Sequence, residues 1–294
     1  MDTVVSFLPV AHWKGELPVE AVSDGNKLLS GLCGYLRQPH GRLTVTGRAG
    51  ITAILAHLGL KREDEVWILT TFDLPNVSSH VTSTIFNVCK PSRVLTDRTR
   101  AVFIIHEFGV PHPDTPALAE LAKDRRIPLI EDCAHTIDSR GDGWRVGSLG
   151  DYVIISFPKI FPTNYGGALL GKELEYVPTA LDLSRIEQAA GIASYFWASW
   201  PEQAACRKKI YRKLTDRFKD IGLSTLFEVT DNVTPWFFPV RVRHWQKMIE
   251  TSKQYGVECA LWHGSDIVVF PCHQFLEDEH IERIAAAAAK GLGG

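Results

Sequence analysis

The sequence predicts an α/β fold: a mostly parallel mixed sheet flanked by helices, followed by a small C-terminal α+β unit. Three observations carry this expectation. Short β-rich apolar runs alternate with amphipathic helical stretches between Leu43 and Gly171. Two of those runs, residues 128–130 and 152–157, end in side chains suited to chemistry, and a glycine-rich turn follows the second. After Gly171 the chain turns helical, aromatic and basic before strands return. The 294 residues divide into a large ligand-binding domain over 1–200 and, over 201–294, a connector helix with a small α+β domain that begins near Phe227.

Taken in order, residues 1–45 place Pro9, Pro18 and Pro39 between short apolar pieces and read as an arm and a helix packed on the main body. Leu43-Thr44-Val45-Thr46 reads as a short strand. Gly47-Arg48-Ala49-Gly50 follows, then Ile51, Ile54, Leu55 and Leu58 at helical spacing as far as Gly59, so a glycine turn opens a helix. Such a turn offers backbone N–H groups and the positive end of the helix dipole, which suits phosphate, and Arg48 adds a guanidinium. Plain helix capping is the simpler reading of glycine there. Residues 66–72 read as a buried strand, 75–88 as a helix, 93–96 as a short strand, and 101–108 as a strand bearing His106. Thr115-Pro116 starts a helix with Leu118, Leu121 and Ala122 on one face, leading directly into 128–130.

Past Gly171, residues 184–200 and 201–221 read as helices, the second carrying Ile210, Leu214, Phe218 and Ile221 on one face and a basic, solvated face opposite. A strand at 236–242, a helix at 245–255 closed by Gly256, strands near 257–261 and 267–270, and an amphipathic helix at 276–290 complete the chain.

The formal charge of -2 gives no field that favours nucleic acid or an anionic membrane. The six cysteines show no paired spacing, and no apolar run is long enough to span a bilayer. The N-terminus lacks a basic start and a cleavage site. A soluble, unprocessed cytoplasmic protein with reduced thiols is expected, and no metal set stands out. His106 reads as a structural histidine, Cys133 as a buried filler and Glu131 as loop support, while His263 and His273 lack a third ligand for zinc.

The chemistry concentrates just past two strands. In parallel sheets the carboxyl ends of strands open into the ligand crevice, so Asp132 and His135 after the first run, and Ser156 and Lys159 after the second, face one pocket. A lysine shielded by a strand end, a proline and aromatics loses its proton more readily, as Schiff-base chemistry needs. Alone, Lys159 reads more often as a surface lysine at a strand end, and Asp132 reads equally as a helix cap or an ion-pair partner. Together with the Gly47 turn, an aspartate able to hold a pyridinium nitrogen and a lysine able to form a Schiff base describe a pyridoxal phosphate site.

The same stretches resemble the DegT/StrS-type sugar aminotransferases, pyridoxal-phosphate-dependent enzymes of the aspartate aminotransferase fold. TGRAGITAILAHLGLKREDEV is similar to that family's phosphate turn and the helix after it. VFIIHEFGVPHPDTPALAELAKDRRIPLIEDCAHTI resembles its His-x-x-Gly strand end and Glu-Asp-x-Ala-(Gln/His) motif. VGSLGDYVIISF and FPCHQFLEDEHIERIAAA resemble its Ser-Phe run and its closing motif. The resemblance implies that Asp132 partners the ring nitrogen, that His135 stands beside the ring hydroxyl, and that Gly47, Arg48 and Ser156 contact phosphate. It also implies that Lys159 is the cofactor lysine and that Phe72 stacks on the ring. It further implies a homodimer that takes an amino donor and a small carbonyl substrate such as a nucleotide-linked keto sugar. Two departures stand out. Lys159 follows Ser156 by three positions where the family has five, and the family's long segment with an Asn-Tyr-Arg motif is missing between Gly167 and Ala189. Other pyridoxal phosphate chemistry, such as elimination or replacement, and a catalytically silent family member acting as a binding partner therefore remain open alternatives.

Overall fold

The computed structural model describes residues 4–15 and 25–293, so part of the expected N-terminal arm lies outside the described residues. Helix α1 (Gly25–Leu36) buries Leu28, Leu32 and Leu36, four residues apart and on one face. Strand β1 (His40–Thr44) leads into α2 (Gly47–His57), which opens at Gly47 because the Thr46 hydroxyl accepts the Ala49 N–H at 3.1 Å. There follow β2 (Glu65–Thr70), α3 (Ser79–Phe86), β3 (Lys90–Ser92), β4 (Thr99–Ile105), α4 (Thr115–Arg125), β5 (Leu129–Asp132) and β6 (Tyr152–Ser156). The short turn α5 (Phe157–Ile160) and β7 (Gly167–Gly171) complete this part.

These strands form one seven-stranded sheet in the order β1-β7-β6-β5-β4-β2-β3. The pairs β6/β5, β5/β4, β4/β2 and β2/β3 are parallel, whereas β1/β7 and β7/β6 are antiparallel, so the sheet is mixed and mostly parallel. Alternation along β6 divides the core. Ile155 packs with α1 and the later helix α6 (Ala180–Trp197) on one face, and Ile154 packs with α2 and α3 on the other.

Two local expectations are corrected. The glycine-rich turn expected after residues 152–157 is confined to the bend that ends at Gly166, with φ +98, and Gly167–Gly171 beyond it is a strand buried along its whole length between β1 and β6. Its glycines permit the close approach: a Cβ on Gly167 would meet Ile155 O at 2.5 Å, and one on Gly171 would meet Asp151 O at 2.1 Å. The short edge strand lies at Lys90–Ser92 rather than 93–96, because Arg93 turns inward to donate to Ile68 O and to Asp73.

Helix α7 (Trp200–Asp220) then leads to β8 (Phe237–Arg241), α8 (Trp245–Gln254), β9 (Ala260–Leu261), β10 (Ile267–Pro271) and α9 (Asp278–Leu292). These three strands form an antiparallel sheet, β8-β10-β9, around a separate apolar cluster that includes Ile210, Leu214, Phe238 and Ile284. No helix among the described residues is long and apolar enough to cross a membrane.

Candidate active site

Strands β4, β5 and β6 run in parallel with Ile105, Asp132 and Ile154 in register, so their carboxyl ends deliver Glu107, Asp132, His135, Ser156 and Lys159 to one edge of the sheet. There they line a cavity of about 640 Å³ together with Gly47 and Arg48 at the start of α2. Six of the seven expected cofactor contacts meet in it. The seventh, Phe72, does not line it: its ring lies against Phe108 and Phe227, with centroids 5.7 and 6.0 Å away.

One end of the cavity suits an anion. The first-turn N–H groups of Gly47 and Arg48 have no acceptor within α2, and a Cβ on Gly47 would stand 3.6 Å from the Ser156 Cβ, so the serine adjoins the helix start. The exposed Arg48 adds a positive charge at the mouth.

The other end suits a cationic heterocycle and an amine. Asp132 is buried, and its carboxylate accepts the Ala134 N–H at 2.9 Å. Burial raises its pKa, and the Lys159 charge opposes the rise. Burial in turn lowers the Lys159 pKa, with Asp132 opposing, so each group supports the charge of the other. The Lys159 amine lies 4.5 Å from the centre of the Trp236 ring. His135 accepts the Phe108 N–H at Nδ1, 3.1 Å away, which puts its proton on Nε2. Burial first, and the Lys159 charge second, hold its pKa well below the usual histidine range, so the ring is neutral.

Support for the site comes from two buried charges. Glu131 accepts N–H groups from Gly147, Leu149 and Gly150 at 2.8, 2.9 and 2.6 Å, and its carboxylate also holds His106 Nε2 at 3.0 Å. Both residues are therefore structural, and the cluster they make with Cys133 has its carboxylate oxygens already engaged. Arg207 on α7, 1% exposed, donates to Lys159 O at 3.0 Å, Ile160 O at 2.9 Å and Gln274 Oε1 at 2.6 Å. It clamps the turn that carries the lysine.

Sequence reasoning missed the opposite wall. Trp236, Trp262, His263 and Glu107 also line the cavity. The run Pro235-Trp236-Phe237 just before a strand was the available signal for the first. His273, the other histidine weighed with His263, is buried, with its Nε2 3.1 Å from Ser6 O. Glu107 accepts the Phe72 N–H at 3.2 Å, and burial raises its pKa.

Comparison with known proteins gives the same outline. A profile of the DegT/DnrJ/EryC1/StrS aminotransferase family matches residues 25–189. A protein of Micromonospora echinospora provisionally named L-glutamine:3-amino-2,3-dideoxy-scyllo-inosose aminotransferase is 31% identical over 162 residues, which is 50% of this chain and 38% of that protein. GDP-perosamine synthase of Escherichia coli O157:H7 is 30% identical over 167 residues, 50% of this chain and 45% of the synthase. The chain thus matches less than half the length of either relative. Among solved structures, the aminotransferase TlmJ from Streptoalloteichus hindustanus superposes with a TM-score of 0.78 at 21% identity, covering 95% of this chain and 97% of TlmJ. The PLP form of a provisionally named sugar aminotransferase from Streptococcus pneumoniae superposes with a TM-score of 0.77 at 17% identity, covering 99% of this chain and 100% of that one. The fold is that of these aminotransferases.

Proposed function

We propose, since the chain belongs to the DegT/DnrJ/EryC1/StrS aminotransferase family, that it is a pyridoxal-phosphate-dependent aminotransferase carrying an amino group from an amino-acid donor to a keto sugar. One observation carries the reading: an anion-binding helix start beside Ser156 shares a cavity with a buried Asp132, a neutral His135 and Lys159. That donor set fits the phosphate, ring nitrogen, ring hydroxyl and aldehyde of the cofactor. When bound, pyridoxal phosphate supplies an electron sink for the carbon that loses a proton.

The residues of the chain do the rest. The N–H groups of Gly47 and Arg48, the Arg48 guanidinium and the Ser156 hydroxyl bind phosphate. Asp132 keeps the ring nitrogen protonated, because a carboxylate in a low-dielectric pocket favours a neighbouring cation. The Nε2–H of His135 donates to the ring hydroxyl. Lys159 would hold the cofactor covalently, give way to the donor amine, and then move the proton from the donor's carbon to the cofactor carbon bonded to the nitrogen. The burial that lowers its pKa makes its amine available as a base.

A keto-sugar acceptor is supported by the names of the relatives. The division into a cofactor-binding domain over 1–200 and a smaller domain over 201–294 is supported by the two separate sheets. Six free cysteines support a reducing, cytoplasmic setting. The exposed Val177, Leu181 and Leu183 offer apolar surface for pairing with a second copy. The shortness of the segment between β7 and α6 favours a second reading, in which the same cofactor serves elimination or replacement. Borohydride reduction of protein incubated with pyridoxal phosphate, followed by peptide mapping, should find the pyridoxyl group on Lys159. A label on another lysine, or none, overturns the reading.

A further inference from the structure

We infer that residues 5–8, a strap near the N-terminus, form the acceptor-side wall of the cavity, and that Phe7 makes this wall select an uncharged ring ketone over one bearing a nucleotide diphosphate. The inference rests on the reading of the cavity as an aminotransferase site. Phe7, Leu8 and Glu258 line the cavity, beside Ala260 and Leu261 of β9 and Val269 of β10. The Phe7 ring is half-buried, inclined at 54° to Phe237 with centroids 4.7 Å apart, and it borders the cavity. Leu8, 36% exposed, extends the same apolar surface. The C–H face of a six-membered ring packs well against such a wall. The charges agree. Among the described residues, the Lys and Arg side chains that line the cavity are Arg48 and Lys159, and the cofactor takes both. The charge on the strap side is the exposed Glu258 carboxylate, which repels a diphosphate.

The strap is held along its length. Val5 is fully buried; its N–H donates to Gly256 O at 2.8 Å, and its O accepts the Glu258 N–H at 2.8 Å. Ser6 N–H donates to His12 Nε2 at 2.8 Å. His273 Nδ1 accepts the Phe275 N–H at 3.3 Å, which puts its proton on Nε2, and Nε2 donates to Ser6 O at 3.1 Å. Glu258 Oε2 accepts both the Ser6 hydroxyl and the Phe7 N–H at 2.7 Å. The backbone that carries Phe7 is thus fixed on both sides, and a ligand meets a wall that is already formed.

The test loads the whole protein with pyridoxamine phosphate and titrates it with 2-hydroxycyclohexanone, an uncharged ring ketone, or with uridine diphosphate. In protein labelled with 4-fluorophenylalanine, the ¹⁹F resonance missing from F7L should move with the ketone and stay still with uridine diphosphate. By calorimetry, F7A should bind the ketone about tenfold more weakly than the wild type, yet bind pyridoxamine phosphate within about threefold of it. The ¹⁹F measurement on the wild type holds even if F7A does not fold. Equal ketone affinity of F7A and wild type, a Phe7 resonance unmoved by the ketone, or one that moves with uridine diphosphate overturns the inference. A wild type that takes up no pyridoxamine phosphate overturns the underlying reading and this inference with it.

Discussion

Arg207→Met should detach the lysine turn from its support. The guanidinium is 1% exposed and its partners are neutral: Lys159 O, Ile160 O and Gln274 Oε1, at 3.0, 2.9 and 2.6 Å. Burial lowers its pKa to about 10, so it stays charged at neutral pH. Methionine replaces the stem volume but none of the donors. Ile160 O keeps the Gln274 amide at 2.9 Å, whereas Lys159 O and Gln274 Oε1 lose their Arg207 donor. Two stranded buried acceptors cost about 1–3 kcal/mol each, and part of that returns because a charge no longer has to be buried, so the net loss is about 2–4 kcal/mol. Urea unfolding of the cofactor-free protein measures it. A structural loss alone would leave the lysine chemistry unchanged. The clamp predicts more: with α5 loosened, water reaches the amine, the Lys159 pKa rises toward its ordinary value, and the pH profile for covalent capture of pyridoxal phosphate moves upward. Arg207→Lys keeps the charge without the fork and should recover less than half of either effect. An unchanged urea midpoint together with an unchanged pH profile would refute the reasoning.

Other outcomes follow from the same geometry. Asp132→Asn should leave the fold intact and lower turnover at least about a hundredfold, as steady-state kinetics would show; unchanged turnover would make the residue structural. Lys159→Ala should fold and bind pyridoxal phosphate without a borohydride-stable link, which mass spectrometry of the reduced protein reads. Stability should fall as pH drops from 6.5 toward 4. Burial lowers the pKa of His12 and His263 to about 4, and it also lowers those of His112, His135, His273 and His280, so in this window the unfolded chain binds more protons than the native one. Asp132, Asp138 and Glu107, whose pKa values burial raises, act with the opposite sign but are fewer. Urea midpoints measured across that range would contradict this if they stayed level.

Much of the sheet was legible because its cause is local. The apolar runs of β4, β5 and β6 are buried on both faces, and the polar residues that end them fall where a parallel sheet must open. Strand β7 was illegible because its glycines, which look like turn residues, are there to let backbones approach. The edge strand slipped because Arg93 found partners across the chain that its own neighbourhood does not suggest. On the site, Gly47, Asp132, His135, Ser156 and Lys159 come from strand and helix ends close in sequence. Trp236 lies about a hundred positions beyond Asp132, and it reaches the cavity only through a seam of contacts at Gly109 and Ser139, which no periodicity encodes. Phe72 was the nearer aromatic in sequence, but its backbone is tied to Glu107 and the neighbouring Thr71 hydroxyl bonds Ile105 O and Val110 O, which turns the ring out of the cavity.

The measurement closest to the central claim is the donor half-reaction. An aminotransferase must accept nitrogen from its donor before any acceptor arrives, and the groups proposed for this, Asp132, His135 and Lys159, all line the one cavity. Glutamate or glutamine added alone to the cofactor-loaded protein should bleach the absorbance of the lysine-linked cofactor and release the matching keto acid in equal amount. Lys159→Ala should abolish keto-acid release. A loaded protein whose absorbance no amino donor changes would contradict transamination and leave elimination, replacement or a silent scaffold.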